Sequence, residues 1–153
     1  ALGGGFPIGG FWISDRAIDG QGTELSSIMD PGSHGSTYGG NPLGTAVGLA
    51  VLREVVSQGL PERARRLGAE IRREIESWNL PVVQGVRGLG LLLGIGLGVP
   101  QTVEVLEALR QEGLLSVPAG PETVRLLPPL NVSEEEIQQA LAIIRRVLKT
   151  YAK

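Results

Sequence analysis

His34-Gly35-Ser36-Thr37-Tyr38-Gly39-Gly40-Asn41-Pro42-Leu43-Gly44 is the stretch on which the reading of this chain turns. Asn41 followed by Pro42 is a helix start. Asparagine accepts a hydrogen bond from the first free N–H groups, and proline fits the first helical position, where no N–H is needed. The helix is expected to run to about Gln58, with Gly59 as its stop. Just before that start lie two hydroxyls and several glycines. A phosphate needs donors converging from one side. Glycine lets backbone N–H groups approach, Ser36 and Thr37 carry side-chain donors, and a helix N-terminus adds a favourable dipole. A glycine-rich turn that merely feeds a helix satisfies the same pattern, and no Gly-Lys-Ser/Thr follows to make a Walker loop.

The first half of that helix, LGTAVGLAVL, is apolar or small all round, so it is expected to be buried. A chain of 153 residues has little core with which to cover a helix on every side, which favours a neighbouring domain or subunit. The surroundings agree. Of the 23 glycines, thirteen fall in the first 50 residues, where only five charged residues occur. That composition suits backbone packed near a ligand or another chain better than a solvated linker.

Downstream the pattern is more regular. A helix is expected from Pro61 to about Trp78, with Ala64, Leu67, Ile71, Ile75 and Trp78 on one face. Leu80–Val86 and Leu89–Leu97 read as strands, and in the second Leu93, Ile95 and Leu97 alternate with glycines. Gln101–Glu112 reads as a helix with Val103, Leu106 and Leu109 inward, followed by short strands at Leu114–Val117 and Thr123–Leu127. Ser133-Glu134-Glu135-Glu136 is a capping box, opening a last helix whose stripe is Ile137, Leu141, Ile144, Leu148 and Tyr151. From about residue 60 onward this is an α+β unit with a mostly antiparallel sheet. Nearer the front, Phe11–Ile13 reads as a short strand, Ser14–Ile18 as a helical turn and Gly20–Asp30 as a loop.

Composition removes several classes of function. There is no cysteine, so disulfides and thiolate metal sites are excluded, and a single histidine, His34, cannot build a multi-histidine site. A net charge of -2 offers no basic excess for a nucleic acid. No apolar run approaches the roughly 20 residues of a membrane span, and no secretory leader is visible, so a cytoplasmic location is the default expectation. Among candidate chemical groups, His34 reads as a general base, with Asp30 four residues back, or as a loop histidine bonded to backbone. Arg125, set in Val124-Arg125-Leu126-Leu127, either faces solvent or meets a carboxylate, which a planar guanidinium binds well. Arg87, in Val86-Arg87-Gly88-Leu89-Gly90, reads as part of a structural turn.

Four phrases, in this order, resemble one family: ALGGGFPIG at 1–9, HGSTYGGNPLG at 34–44, VRGLGL at 86–91 and RLLPPLNVSEEEI at 125–137. They are similar to the class III pyridoxal-phosphate aminotransferases, most closely the ornithine and acetylornithine group. The resemblance covers essentially the whole chain but only the last part of the family's usual length. It implies an α/β assignment: residues 1–59 as the end of the large, cofactor-binding domain of a fold type I transferase with its connecting helix, and 60–153 as the C-terminal small α+β domain. It implies a dimer with pyridoxal 5'-phosphate at the subunit interface. Ser36 and Thr37 would bind the phosphate of the neighbouring subunit's cofactor, and Arg125 would sit in the substrate-carboxylate region. Gly3–Gly5 would form the turn leaving the Schiff-base lysine, and Asn41 would cap the helix joining the two domains. The parent reaction would move the terminal amino group of an ornithine-like substrate to 2-oxoglutarate.

In the family that lysine immediately precedes Ala-Leu-Gly-Gly-Gly, and this sequence starts at Ala1. Lys149 and Lys153 match no such motif. The expectation is therefore a C-terminal segment, inactive alone and pairing with a missing N-terminal segment or with a second copy. Two other readings remain open: a non-catalytic interaction module, and a phosphate-ligand-binding domain without chemistry.

Overall fold

The computed structural model describes residues 2–29 and 32–152; Ala1, Asp30, Pro31 and Lys153 lie outside the described residues, and with them the expected neighbour of His34, Asp30, and one of the chain's two lysines, Lys153. The chain divides into two compact units, Ala1–Gln58 and Gly59–Lys153.

The first unit holds α1 (Leu25–Ile28) and α2 (Pro42–Ser57). Its front half is irregular. Phe11–Ile13 forms no strand and Ser14–Ile18 no helical turn; instead Ala17 makes an isolated antiparallel bridge to Glu24. Asp19 closes the loop between them by accepting the N–H groups of Gln21 at 2.9 Å and Thr23 at 3.0 Å. The expected loop at Gly20–Asp30 contains the single helical turn α1. α2 starts as expected: the Asn41 side chain accepts the Gly44 N–H at 2.8 Å, and Pro42 follows. Its burial differs from expectation. Only Gly44 and Gly48 are buried, while Leu43, Leu49, Leu52 and Val56 are exposed. The reason is that the unit supplies a lining on one side alone. A Cβ on Gly44 would lie 3.3 Å from Phe6 Cε1, and one on Gly48 would lie 3.6 Å from Leu2 Cγ.

The second unit runs α3 (Leu60–Ser77), β1 (Val83–Leu89), β2 (Leu92–Leu97), α4 (Thr102–Gln111), β3 (Val117–Pro118), β4 (Thr123–Leu126) and α5 (Glu134–Thr150). The sheet order is β1-β2-β4-β3, and each pairing is antiparallel. β1 starts three residues later than the strand expected at Leu80–Val86 and has the same length, while β2 is shorter than the strand expected at Leu89–Leu97, because the hairpin turns at Gly90-Leu91, where Gly90 takes a left-handed φ of 54°.

One face of the sheet is the core. Val86, Ile95 and Val124 stand in one cross-strand row, with Leu93 and Leu97 on either side along β2. Against them pack the predicted stripe of α3, the predicted stripe of α5 as far as Leu148, and Val105 and Leu109 of α4. α4 is rotated from its expected setting: Val103 is 75% exposed and Val105 is fully buried. Thr102, also buried, explains the setting, since its hydroxyl donates to the Pro121 carbonyl at 2.6 Å and fixes the helix start. Tyr151 packs at the edge of the core, partly buried.

α5 carries the full capping box. Ser133 Oγ accepts the Glu136 N–H at 3.1 Å, and Glu136 accepts the Ser133 N–H at 2.7 Å. Pro128-Pro129 ends β4, and the loop that follows is gripped by Arg63, which donates to the carbonyls of Leu130 and Val132.

Candidate functional site

The first unit presents the residues singled out at 34–44. Two successive turns precede α2: Gly39 N–H donates to Ser36 C=O at 3.0 Å, and Asn41 N–H donates to Tyr38 C=O at 3.3 Å. Gly40 takes φ 68°, a left-handed setting that glycine adopts without strain. Gly39 is closely approached in the same turn. A Cβ there would lie 3.1 Å from Ser36 Oγ and 3.2 Å from Ser36 O, so any side chain would fill the concave side of the turn. The Asn41 amide donates to Tyr38 C=O at 2.9 Å, tying the turn to the helix start.

Beside this turn lies a cleft of about 510 Å³, whose lining includes Ser36, Tyr38, Gly39, Gly40 and Thr45. Thr37, adjacent to Ser36 and exposed, is not among its lining residues. Of the two hydroxyls expected to meet a phosphate, the cleft therefore takes in that of Ser36 alone, together with a glycine turn and a helix N-terminus. Asn41 has already used the Gly44 N–H, so the donor left over from intrahelical bonding is that of Leu43. Thr45 Oγ is engaged with the carbonyls of Asn41 and Pro42. The His34 ring packs edge-on against Phe11, with centroids 5.4 Å apart, and makes no hydrogen bond to backbone among the described residues, outside which its other expected neighbour, Asp30, lies. The Gly3–Gly5 turn is tight. Phe6 N–H donates to Gly3 C=O at 2.9 Å, and a Cβ on Gly3 would fall 2.1 Å from Phe6 O.

Arg125 lies in the second unit, on β4, and projects from the sheet face opposite the core. Its Cα partners are Gly94 of β2 and Val117 of β3. Nη2 donates to the Pro118 carbonyl at 3.2 Å, and Nε is buried without a partner among the described residues. Arg87 is not in a turn, as had been expected, but inside β1, opposite Gly94. Its Nη2 donates to Thr123 Oγ1 at 2.7 Å. A second cleft, of about 490 Å³, is lined by Gln84, Arg87, Thr123 and the glycines 96 and 98. The alternation of glycine with leucine and isoleucine along β2 was the available signal for this bare face. The Arg87–Thr123 contact spans 36 residues and left no local trace.

No group of three metal-ligating side chains occurs among the described residues, and none of their helices is long and apolar enough to cross a membrane.

Comparison with known proteins follows the same outline. A family model described as "Aminotransferase class-III" matches residues 1–148. The acetylornithine aminotransferase of Mycobacterium leprae is 44% identical over 147 residues, covering 96% of this chain and 34% of that protein. The ornithine aminotransferase of an Exiguobacterium species is 42% identical over 148 residues, covering 97% and 35%. Among solved structures, the acetylornithine aminotransferase of Elizabethkingia anophelis superposes with a TM-score of 0.74 at 37% identity, over 82% of this chain and 34% of that one. The Plasmodium falciparum ornithine delta-aminotransferase gives a TM-score of 0.75 at 32% identity, over 84% and 34%. The chain spans about a third of the length of the curated relatives it matches.

Proposed function

Because this chain belongs to the class-III aminotransferase family, we propose that it supplies the phosphate-side turn and the carboxylate-side strand of a pyridoxal-phosphate-dependent aminotransferase. The donor is an acetylornithine- or ornithine-type amine and the acceptor is 2-oxoglutarate. The observation that carries this reading is the Ser36–Gly40 turn, which opens on a cleft at the capped start of α2. Its concave side is kept free by Gly39, and its polar groups are the kind a phosphate dianion requires. Residues 1–59 then belong to the end of the large domain and 60–153 to the small domain, in a cytoplasmic enzyme.

In this reading Ser36 and Thr37 hold the phosphate of the cofactor bound by the neighbouring subunit of a homodimer. Arg125 receives a substrate carboxylate, which a planar guanidinium binds in a bidentate fork. When bound, pyridoxal 5'-phosphate supplies the electron sink that amino-group transfer needs. Residues 1–153 carry lysine only at 149 and 153, so a polypeptide of these residues alone is proposed not to transaminate.

The test is calorimetric titration of the chain with pyridoxal 5'-phosphate. Thr37→Ala should weaken binding by about 1.5–3 kcal/mol, the value of a hydrogen bond to a charged group. Binding unchanged in both Thr37→Ala and Ser36→Ala would remove the phosphate role.

A second reading, a non-catalytic pairing module, is favoured by the exposed apolar residues of α2: Leu43, Leu49, Leu52 and Val56. Under it, Leu52→Ser with Val56→Lys converts a stable dimer into a monomer by size-exclusion chromatography, at a stability change within about 0.5 kcal/mol. Transamination restored by adding a polypeptide that bears the lysine decides for the enzyme; a dimer indifferent to that addition decides for the module.

A further inference from the structure

The sheet face opposite the core carries a second guanidinium beside Arg125. Arg87, Gly94 and Arg125 stand in one cross-strand row, from β1 across β2 to β4. Residues paired in this way project from the same face. Gly94 contributes no side chain, and its neighbours occupy the space. A Cβ there would lie 2.9 Å from Thr123 Cγ2 and 3.7 Å from Arg87 Cγ. The Arg87 stem thus lies over the central strand, and its Nη2 reaches Thr123 Oγ1 on β4 at 2.7 Å. Thr123 is 3% exposed and precedes Arg125 by two residues on the same face.

β4 needs such a strut. It is four residues long, and its outer neighbour β3 has only two. On this face β2 presents Gly94 and Gly96, and glycine-rich strands specify register weakly because they offer no side chains to pack. The Arg125 side chain has one hydrogen bond among the described residues, at 3.2 Å. Neither arginine has a carboxylate within 4.0 Å among the described residues, so no ion pair holds either one.

We infer that Arg87 is a positioning residue: through Thr123 it fixes β4 so that the Arg125 guanidinium is set for the substrate carboxylate. This rests on the proposed role of Arg125. Two measurements test it. In the 153-residue chain, the order parameter of the Arg125 Nε–H bond should fall below about 0.6, the flexible range, in both Arg87→Gln and Thr123→Val. The denaturation midpoint should fall modestly in both, as loss of a part-buried hydrogen bond to a charged group requires. In the cofactor-loaded enzyme, Arg87→Gln should raise KM for 2-oxoglutarate about tenfold with kcat within twofold, and Arg87→Lys should recover part of the loss. Adding Arg87→Gln to Arg125→Gln should cost nothing more. Thr123→Val breaks the same strut from its other end and keeps both charges, so it serves if Arg87→Gln fails to fold. If Arg125→Gln raises KM while Arg87→Gln and Thr123→Val leave both KM and the order parameter unchanged, Arg87 has no positioning role and the carboxylate role of Arg125 stands. If Arg125→Gln leaves KM unchanged, the carboxylate role itself falls, and this inference with it.

Discussion

Replacing Gly68 with alanine sets two effects against each other. Gly68 is buried in the middle of α3, and alanine is favoured over glycine in a helix by about 0.8–1.0 kcal/mol. Propensity alone therefore predicts a more stable protein. The packing predicts the reverse. A Cβ on Gly68 would fall 2.0 Å from the Gly90 carbonyl oxygen and 2.5 Å from its carbon, so α3 and the β1–β2 turn must separate by about 1 Å to accept it. The obstacle is backbone, not the end of a flexible side chain. Overpacking of this kind costs typically 1–3 kcal/mol and occasionally more, and separation also loosens the contacts of Leu67 and Ile71. The net expectation is destabilisation by about 1–2 kcal/mol. At roughly 4–8 °C per kcal/mol for a domain of this size, the melting temperature of the second unit should drop by about 5–15 °C. The assay is urea and thermal denaturation followed by far-ultraviolet circular dichroism. Ala69→Gly, one residue on and exposed, is the control. It makes the opposite exchange and should cost about 1 kcal/mol through propensity alone. A Gly68→Ala variant as stable as the parent, or more so, would refute the close approach of α3 to the hairpin.

Two further outcomes concern the start of α5. Ser133→Ala removes the side chain that caps the Glu136 N–H and should lower stability by about 1 kcal/mol, read as a shift in urea midpoint at constant slope. The Glu136 carboxyl is held below the usual carboxylate range by the Ser133 N–H and then by the Ser133 hydroxyl, and Glu134 likewise by Arg66. Groups lowered in the folded state add stability above their ordinary value, about 4.3. That stability is lost as pH falls through the folded value. The urea midpoint should therefore be flat from pH 7 to 5 and decline below about pH 4, with a shallower decline in Glu136→Gln; an equal decline in that variant would remove Glu136 from the account.

The parts of the fold that a sequence exposes are those fixed by neighbours in the chain. Asn41-Pro42 and Ser133–Glu136 act within four residues of themselves, and both helix starts stand where those residues place them. The α3 and α5 stripes repeat over enough turns to leave one face to bury. α4 has ten residues, and within so short a span Val103 and Val105 both suit an apolar face. The choice was made by Thr102 reaching Pro121, a contact 19 residues away. Phe11–Ile13 has strand-like residues but no strand beside it, and a strand without a partner leaves its backbone groups unpaired. The candidate site divides in the same way. The Ser36–Asn41 turn was legible because its hydrogen bonds are local. The placement of Arg87 beside Arg125 was not, because sheet pairing decides it.

The glycines of β2 also bear on how the second unit folds. A two-stranded hairpin is marginal in water by itself, and glycine at every second position weakens it further. β1 and β2 are adjacent in the chain, yet β2 gains its other neighbour only from β4, roughly thirty residues on. The loop must therefore close before the central strand has a reason to exist. The nucleus for this unit should then centre on α3 seated over the Gly90 turn, with β2 and β4 consolidating late. In kinetic terms, substitutions at Ile71 or Leu67 should slow folding, and those at Val124 should mainly speed unfolding.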